Sequence, residues 1–415
     1  MAREYKDSGI EWIGRIPKEW KTCRFKDFVF LRTAPSNSTN KIGLENLEGE
    51  SGHFVQTEGK FDGDGTQFYD GDVLYGKLRP YLRKVWLATF DGNAVGDFFV
   101  FKNKVNAFAK YVKWLFLSDG FSEAVNSSVY GAKMPRVSSE FILTLPYFLP
   151  SIDEQQRIAD YLDEKCGEID SLISLQEKMI TQLSDYKQSV ITEAVTKGID
   201  PNAQLVPSGI DWIGNIPKGW KVNKINRLFK IIGSGTTPNS SDADAYSGTI
   251  NWLQSGDING GIITEAKNKI TKDTLAKYSA LSVYKAPFII VAMYGASVGN
   301  ISISNIDACV NQACCVMSDS RIDFNYAFSA IKSAQRYLIY RAVGGGQPNI
   351  SQFILRQLWI PEPPISEQRA IADYLNNKCA EIDALISLKQ QKIETLKDYK
   401  KSLIYECVTG KKEVI

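Results

Sequence analysis

A short stretch in the first third of the chain combines cationic and aromatic side chains, and it contains no acidic residue between Asp72 and Asp91. Such side chains neutralise phosphates and donate hydrogen bonds to base edges. The pattern therefore predicts a nucleic-acid contact surface, although a solvated strand edge has the same composition. The candidate contact residues are Lys77, Arg79, Tyr81, Arg83 and Lys84.

The corresponding stretch of the second half, residues 293–300, offers small polar groups instead, at Tyr294, Ser297 and Asn300. A loop also recurs, as residues 131–138 and 344–351. Its glycines allow close approach of the backbone, and its polar side chains are candidate DNA contacts. A plain turn fits this loop equally well. The candidates in the two loops are Lys133 and Arg136, and Gln347 and Asn349.

Groups that commonly perform catalysis are scarce in this sequence. His53 is the only histidine, which argues against histidine acid-base chemistry and zinc hydrolysis. The phosphate-binding motif GxxxxGK[ST] is missing, as is the Asn/Asp-Pro-Pro-aromatic motif that holds a flipped adenine. The seven cysteines lack CxxC spacing and are interpreted as reduced core thiols. We therefore expect a binding protein without a catalytic site, a metal or a cofactor of its own.

The chain is a tandem repeat. Residues 8–21 match residues 208–221 at an offset of 200, and we call these two segments the WIG motifs. Residues 153–162 match residues 366–375 at an offset of 213, so the second copy carries 13 extra residues between its motif and its helix. A length of 415 residues is enough for two well-packed domains.

Two long helices are predicted, the first from residue 154 to about residue 196. Apolar residues recur there with heptad spacing, and the same pattern returns 213 residues later with its polar interruptions, including Lys187 and Lys400. We expect the helices to pack on each other as an antiparallel coiled-coil pair; the alternative is that the stripe is a surface for a partner. The predicted packing residues are Leu162, Ile169, Ile173, Ile180, Leu183 and Val190, and Leu375, Ile382, Ile386, Ile393, Leu396 and Leu403.

The segments between the helices contain short β-branched and aromatic runs punctuated by glycine and aspartate. The predicted fold class is α+β: two globular domains of mixed sheet and short helices, two long antiparallel helices, and an internal pseudo-twofold repeat. Short helices are expected at about 107–118 and 326–340. The predicted domains are residues 1–150, 151–198, 199–363 and 364–415, of which the second and fourth are the long helices.

Nothing at the N-terminus resembles a signal peptide, and the longest apolar run, residues 287–293, is too short to span a bilayer. We therefore expect a cytoplasmic protein with no membrane partner. The net charge of +2 argues weakly against a protein that coats nucleic acid with its whole surface, but it permits local basic faces.

Over essentially its full length the chain resembles the specificity subunits of type I restriction-modification systems. Three stretches carry the resemblance: GIEWIGRIPKEW at 9–20, GGGQPNIS at 344–351 and PPISEQRAIADYL at 363–375. The first copy departs from the last motif, with Leu149-Pro150 in place of the two prolines and EQQR at 154–157. The resemblance implies two target-recognition domains, each reading one half of a bipartite, asymmetric site in double-stranded DNA, with the helices setting the spacing.

The resemblance also implies partners. Two modification subunits would methylate adenine with S-adenosylmethionine, and two restriction subunits, joined through them, would use ATP and Mg²⁺. These cofactors would belong to the partners. Two alternatives are a self-contained DNA methyltransferase or nuclease, which would turn over without a partner, and a purely structural coiled-coil adaptor, which would leave no DNA footprint.

Overall fold

The computed structural model describes residues 3–36, 39–59, 61–131, 133–342 and 349–414. The predicted α+β fold class is confirmed: small mixed sheets and short helices accompany two helices of more than 40 residues. The chain forms two compact units. Unit 1 comprises residues 1–178 and 389–415, and unit 2 comprises residues 179–388, so each unit contains part of both long helices.

Unit 1 begins with the first WIG motif, and its first long helix starts directly after its last strand. Its strands are β1 (Tyr5–Asp7), β2 (Arg15–Pro17), β3 (Lys21–Arg24), β4 (Val29–Arg32), β5 (Pro35–Ser36), β6 (Lys41–Ile42), β7 (Gly65–Phe68), β8 (Val73–Gly76), β9 (Val85–Leu87), β10 (Gly92–Val95), β11 (Phe98–Asn103) and β12 (Pro146–Leu149). Its helices are α1 (Phe25–Phe28), α2 (Ala109–Leu117), α3 (Asp119–Asn126) and α4 (Ser139–Thr144), followed by the long helix α5 (Ile152–Lys197), which continues into unit 2.

The main sheet of unit 1 has the order β4-β11-β8-β9, and all its pairings are antiparallel. All four residues of β8 are buried, which explains why this strand reads as a continuous apolar run rather than an alternating one. A second sheet has the order β5-β7-β10-β6 and ends in a parallel pair, β10 with β6. Strand β12 pairs with β3 and so closes the unit next to the WIG motif.

Unit 2 repeats this plan. Its strands are β13 (Leu205–Pro207), β14 (Asn215–Pro217), β15 (Lys221–Lys224), β16 (Phe229–Gly233), β17 (Ile250–Leu253), β18 (Ile262–Ile263), β19 (Asn268–Ile270), β20 (Phe288–Ala292), β21 (Ile301–Ser304), β22 (Cys309–Val310), β23 (Cys314–Ser320) and β24 (Trp359–Glu362). Its helices are α6 (Ile225–Leu228), α7 (Lys272–Lys277), α8 (Phe324–Ser333), α9 (Gln335–Tyr340) and α10 (Gln352–Gln357), followed by the long helix α11 (Ile365–Val408), which continues into unit 1.

The main sheet of unit 2, β16-β23-β20-β21-β18, matches that of unit 1 but has one more strand. Strand β18 lies in the longer variable segment and pairs in parallel with β21. Strand β24 pairs with β15 as β12 pairs with β3. The helix predicted at 326–340 is instead two helices, because Ala334 (φ −82°, ψ 0°) interrupts the α-helical backbone between α8 and α9.

Within each unit the two long helices run antiparallel. In unit 1 the Lys400 amine contacts the Asp170 carboxylate at 2.7 Å, and in unit 2 Lys187 contacts Asp383 at 2.6 Å. These two ion pairs occupy equivalent places in the repeat, so the lysines that interrupt the apolar stripe pair with the opposite helix. The side chains of the predicted packing residues are all buried or half-buried.

The helix starts are also built alike, with one difference. Ser151 caps α5, because its hydroxyl accepts a hydrogen bond from the Glu154 N–H at 3.3 Å. In the second copy Ser366 lies within the helix and does not cap it. Helix α11 begins at Ile365, and the carbonyl of Pro364 accepts the hydrogen bond from the Gln368 N–H.

Each WIG motif is joined to a long helix by the same contact, a hydrogen bond from a tryptophan to a glutamate. The indole N–H of Trp20 donates to Glu154 at 3.2 Å, and that of Trp220 donates to Glu367 at 2.9 Å. The neighbouring Gln155 and Gln368 are buried and hydrogen-bond to backbone groups that precede the helix. The Glu-Gln pair that marks both helix starts therefore joins motif, sheet and helix into one core.

Candidate nucleic-acid interface

The two basic stretches predicted in unit 1 come together in the structure. Leu78 and Arg136 form an isolated antiparallel β-bridge. Beside it, the Arg79 N–H donates to the Pro135 carbonyl at 2.7 Å, and the Val137 N–H donates to the Lys77 carbonyl at 3.2 Å. The loop after β8 and the loop before α4 therefore form one continuous surface, which we call surface 1 (residues 77–84 and 133–136).

The predicted contact residues on surface 1 differ in how free their polar ends are. The side chains of Arg79 and Lys133 are exposed, and Tyr81 is 50% exposed. The Arg83 guanidinium pairs with Asp119 at the start of α3, and the Lys84 amine donates to the Leu44 carbonyl at 2.5 Å. Arg79, Lys133 and Tyr81 are therefore directed to solvent. Arg83 and Lys84 instead hold the loop against the rest of unit 1.

The backbone of this loop is strained. Arg79 and Arg83 flank the 3₁₀ turn Pro80–Leu82, and both have left-handed φ angles, +50° and +46°. Residues other than glycine pay roughly 1–2 kcal/mol for this conformation. The Leu82 N–H donates a hydrogen bond to the Arg79 carbonyl, and the Glu50 N–H donates one to the Arg83 carbonyl. Strain that is maintained by surrounding contacts is typical of binding loops.

Surface 2 is the equivalent place in unit 2 (residues 294–300 and Asn349). Tyr294 and Asn349 form a β-bridge, and the Ile350 N–H donates to the Met293 carbonyl at 2.7 Å. The predicted residues on it are neutral: Ser297 is half-buried, and the Asn300 amide donates to the Ile258 carbonyl at 3.1 Å. The predicted contact Gln347 lies outside the described residues.

Burial raises the pKa of the Tyr294 hydroxyl, which is also hydrogen-bonded to Gln312. Gln312 in turn accepts a hydrogen bond from the Thr237 hydroxyl at 2.6 Å. Surface 2 therefore continues into a network of neutral donors and acceptors, whereas surface 1 is cationic.

Sequence reasoning missed Gln312, Thr237 and, in unit 1, Asp97. Asp97 lies between β10 and β11, and its carboxylate accepts two hydrogen bonds from Arg136, at 3.1 and 2.8 Å. It is also 3.7 Å from the Lys77 amine. A search for basic clusters passes over an acidic residue, and only the pairing of β11 with β8 brings Asp97 to this surface.

A groove lies beside each WIG motif. In unit 1 it has a volume of about 980 Å³ and is lined by Trp12, α3 and the last turns of α11. In unit 2 the groove of about 480 Å³ is lined by Trp212, the end of α8, the start of α9 and the last turns of α5. The lining positions correspond through the repeat. At one of them the charge is reversed, with Glu123 in unit 1 and Arg336 in unit 2.

Nothing in the described part of the chain gathers three or more His, Cys, Asp or Glu side chains in a way that would hold a metal ion. The thiols are poor nucleophiles, because burial raises the pKa of Cys23, Cys166, Cys314, Cys315 and Cys407 to about 12. Among the described helices none is apolar over a long enough stretch to cross a membrane. Two surfaces of unlike chemistry at equivalent places thus define the class: a tandem recognition protein on a helical scaffold.

Comparisons with known proteins agree with this class. Residues 217–398 match the family model of the type I restriction modification DNA specificity domain. The specificity subunit of the type I restriction enzyme MjaVIII of Methanocaldococcus jannaschii is 25% identical over 96% of this chain and 94% of its own length. The putative MjaX specificity subunit of the same organism is 25% identical over 99% and 98%.

Two solved structures share the fold. One, from work on complex assembly and conformational transition of the type I R-M system, has a TM-score of 0.74 at 18% identity and covers 95% of this chain and 98% of its own. The HsdS subunit from Thermoanaerobacter tengcongensis has a TM-score of 0.53 at 18% identity with the same coverage. Residues 217–398 thus match a type I DNA specificity domain, and the chain as a whole is similar to the specificity subunits of type I restriction-modification systems, in agreement with the family and the DNA-specificity function predicted from the sequence.

Proposed function

We propose that each unit reads one half of a bipartite, asymmetric site in double-stranded DNA, and that the chain itself performs no catalytic step. One observation carries this proposal: surfaces 1 and 2 are built from the same two loops, yet surface 1 is cationic and surface 2 neutral. A protein that bound two identical half-sites would have no need of this difference. The long helices then set the distance between the half-sites.

The chemistry belongs, in this proposal, to partner subunits. Two modification subunits methylate adenine with S-adenosylmethionine, and two restriction subunits, joined through them, use ATP and Mg²⁺. The repeat supports a pair of identical partners, because the WIG motifs and helix starts are nearly the same in both copies whereas the DNA-facing loops are not.

The grooves beside Trp12 and Trp212 are the places that we assign to the two modification subunits. Each combines a WIG motif with the final turns of a long helix, and so uses the parts of the chain that repeat most closely. Each groove is open to solvent along exposed helical positions such as Glu123 and Arg336. A single type of partner surface can therefore meet both grooves, with the charge at one rim position distinguishing them.

The test of recognition is an exchange of residues 22–150 for those of a relative with a different target, in a complex with its modification subunits. Sequencing of methylated adenines should show one half-site replaced and the other half-site retained. Exchange of residues 222–363 should change only the other half. An unchanged methylation pattern would contradict the proposal, and so would methylation of DNA by the purified chain alone.

The test of docking is a bulky, charged substitution at the exposed serine that lines both grooves at equivalent places of the repeat, Ser402 in unit 1 and Ser189 in unit 2. Ser402→Arg and Ser189→Arg should each yield complexes with one modification subunit, and the double variant should yield none, as measured by native mass spectrometry. Lys26→Glu, an exposed change outside both grooves, is the control and should keep two. Two subunits retained by the double variant would show that the grooves are not the docking sites.

A further inference from the structure

Arg136 has one edge of its guanidinium occupied and another free. Its Nε donates to Asp97 Oδ1 at 3.1 Å and its Nη2 donates to Asp97 Oδ2 at 2.8 Å, so the side edge forms a fork with the carboxylate. The terminal edge, made of Nη1 and the second hydrogen of Nη2, has no hydrogen-bond partner among the residues that the structure describes. With 35% of the side chain exposed, that edge is accessible from solvent.

The fork is held at both ends. The backbone of Arg136 exchanges two hydrogen bonds with Tyr130, at 2.9 and 3.0 Å. The backbone carbonyl of Asp97 accepts a hydrogen bond from the Lys77 N–H at 2.9 Å. The side chain of Asp97 is only 21% exposed. The guanidinium plane is therefore oriented before any ligand binds, and little rotational freedom remains to be lost on binding.

Two parallel donors on a fixed plane match the O6 and N7 acceptors that guanine presents in the major groove, and no other base presents two acceptors there. A phosphate is the poorer match, because phosphate attraction depends on net positive charge and the Asp97 carboxylate offsets part of it. A cationic side chain that contacts only phosphates does not bind them more strongly when it forms a bidentate ion pair with a carboxylate. Lys133 shows the contrast: it is exposed, and no described residue forms an ion pair with it.

We propose that Arg136, positioned by Asp97, reads a guanine in the half-site bound by unit 1, and that Lys133 in the same loop contacts a phosphate. This inference rests on the proposed function, because it requires surface 1 to face DNA. Beyond that function, it assigns one base of the recognised sequence, a guanine, and the side chain that selects this base, Arg136.

The experiment uses the chain assembled with its modification subunits. The unit 1 half-site is first identified as the half that changes when residues 22–150 are exchanged. Binding is then measured by competition between the natural site and sites substituted at each position of that half. The variants are Arg136→Lys, which keeps the charge but loses the fork, Asp97→Asn, and Lys133→Ala as the matched control.

For the wild-type complex we expect a G·C pair at one position, preferred over other pairs by roughly 5- to 150-fold, the range of a good bidentate contact. Arg136→Lys and Asp97→Asn should remove that preference and leave the other positions unchanged. Lys133→Ala should weaken binding to all sequences alike and lower the salt dependence by about one phosphate contact.

Three results would overturn the proposal: a unit 1 half-site without a G·C pair, an Arg136→Lys complex with every preference intact, or a uniform loss at all positions in the Arg136 and Asp97 variants. The last result would show that the pair is only structural. Failure of the proposed function is a separate outcome, since the wild-type complex would then bind no bipartite site at all.

Discussion

Removal of the Asp170 carboxylate should destabilise the protein more than removal of its repeat equivalent, Asp383. The Lys400 amine lies 2.7 and 2.8 Å from the two Asp170 oxygens, and the side chains of this pair are 12% and 38% exposed. Lys187 lies 2.6 Å from both oxygens of Asp383, but there the exposures are 19% and 56%. The two ion pairs have similar distances. The difference in burial therefore determines how much free energy of unfolding is lost when each carboxylate is removed.

Breaking a buried ion pair costs roughly 3–5 kcal/mol, because one charge is left unpaired in a poorly solvated place, whereas an exposed pair contributes about 0–1 kcal/mol. Both pairs lie between these limits. We expect Asp170→Ala to cost about 2 kcal/mol and Asp383→Ala about 1 kcal/mol. In units of this size, these losses lower Tm by roughly 4–8 °C and 2–4 °C.

The assay is urea unfolding and calorimetry of Asp170→Ala, Lys400→Ala and the double variant, with the matched set at Asp383 and Lys187. The two double-mutant cycles isolate the pairwise coupling energies from other effects of each substitution. A coupling energy at Lys187–Asp383 equal to or larger than that at Lys400–Asp170 would refute the argument from burial.

Two further predictions concern the cores. Leu162 is fully buried between α5 and the rest of unit 1, so Leu162→Ala should cost about 3 kcal/mol in the free energy of unfolding, measured in urea, with Leu172→Ala on the exposed face as control. An equal cost for both would contradict this core assignment. The buried thiols keep their protons in the folded state up to about pH 12, whereas unfolded thiols release them near pH 8.5. The buried thiols therefore stabilise the folded state fully below pH 8.5, and this stabilisation is lost as the pH rises toward 12. Tm should fall between these two pH values, and it should fall less steeply in Cys166→Ala. Equal slopes of Tm against pH in the two proteins would exclude the Cys166 thiol as a cause.

Much of the framework was predictable from local patterns. The long helix expected from 154 to about 196 spans Ile152–Lys197, because heptad spacing and the absence of proline over 40 residues leave few alternatives. The break at Ala334 was not predictable, since no proline or glycine marks it. The basic stretch at 77–84 was visible as composition, but composition does not show that Arg83 and Lys84 are directed into unit 1 while Arg79 remains exposed.

The sequence by itself determined the duplication, the helical stripes and the unequal chemistry of the two variable segments, because repeats and periodicity are properties of residue order. Only the tertiary structure decided which side chains meet. Asp97 and Arg136 are 39 residues apart and come together through the pairing of β11 with β8 and the bridge at Leu78. Lys400 and Asp170 are 230 residues apart and meet only because the helices run antiparallel. Contacts of such separation depend on how whole elements pack, which no local pattern encodes.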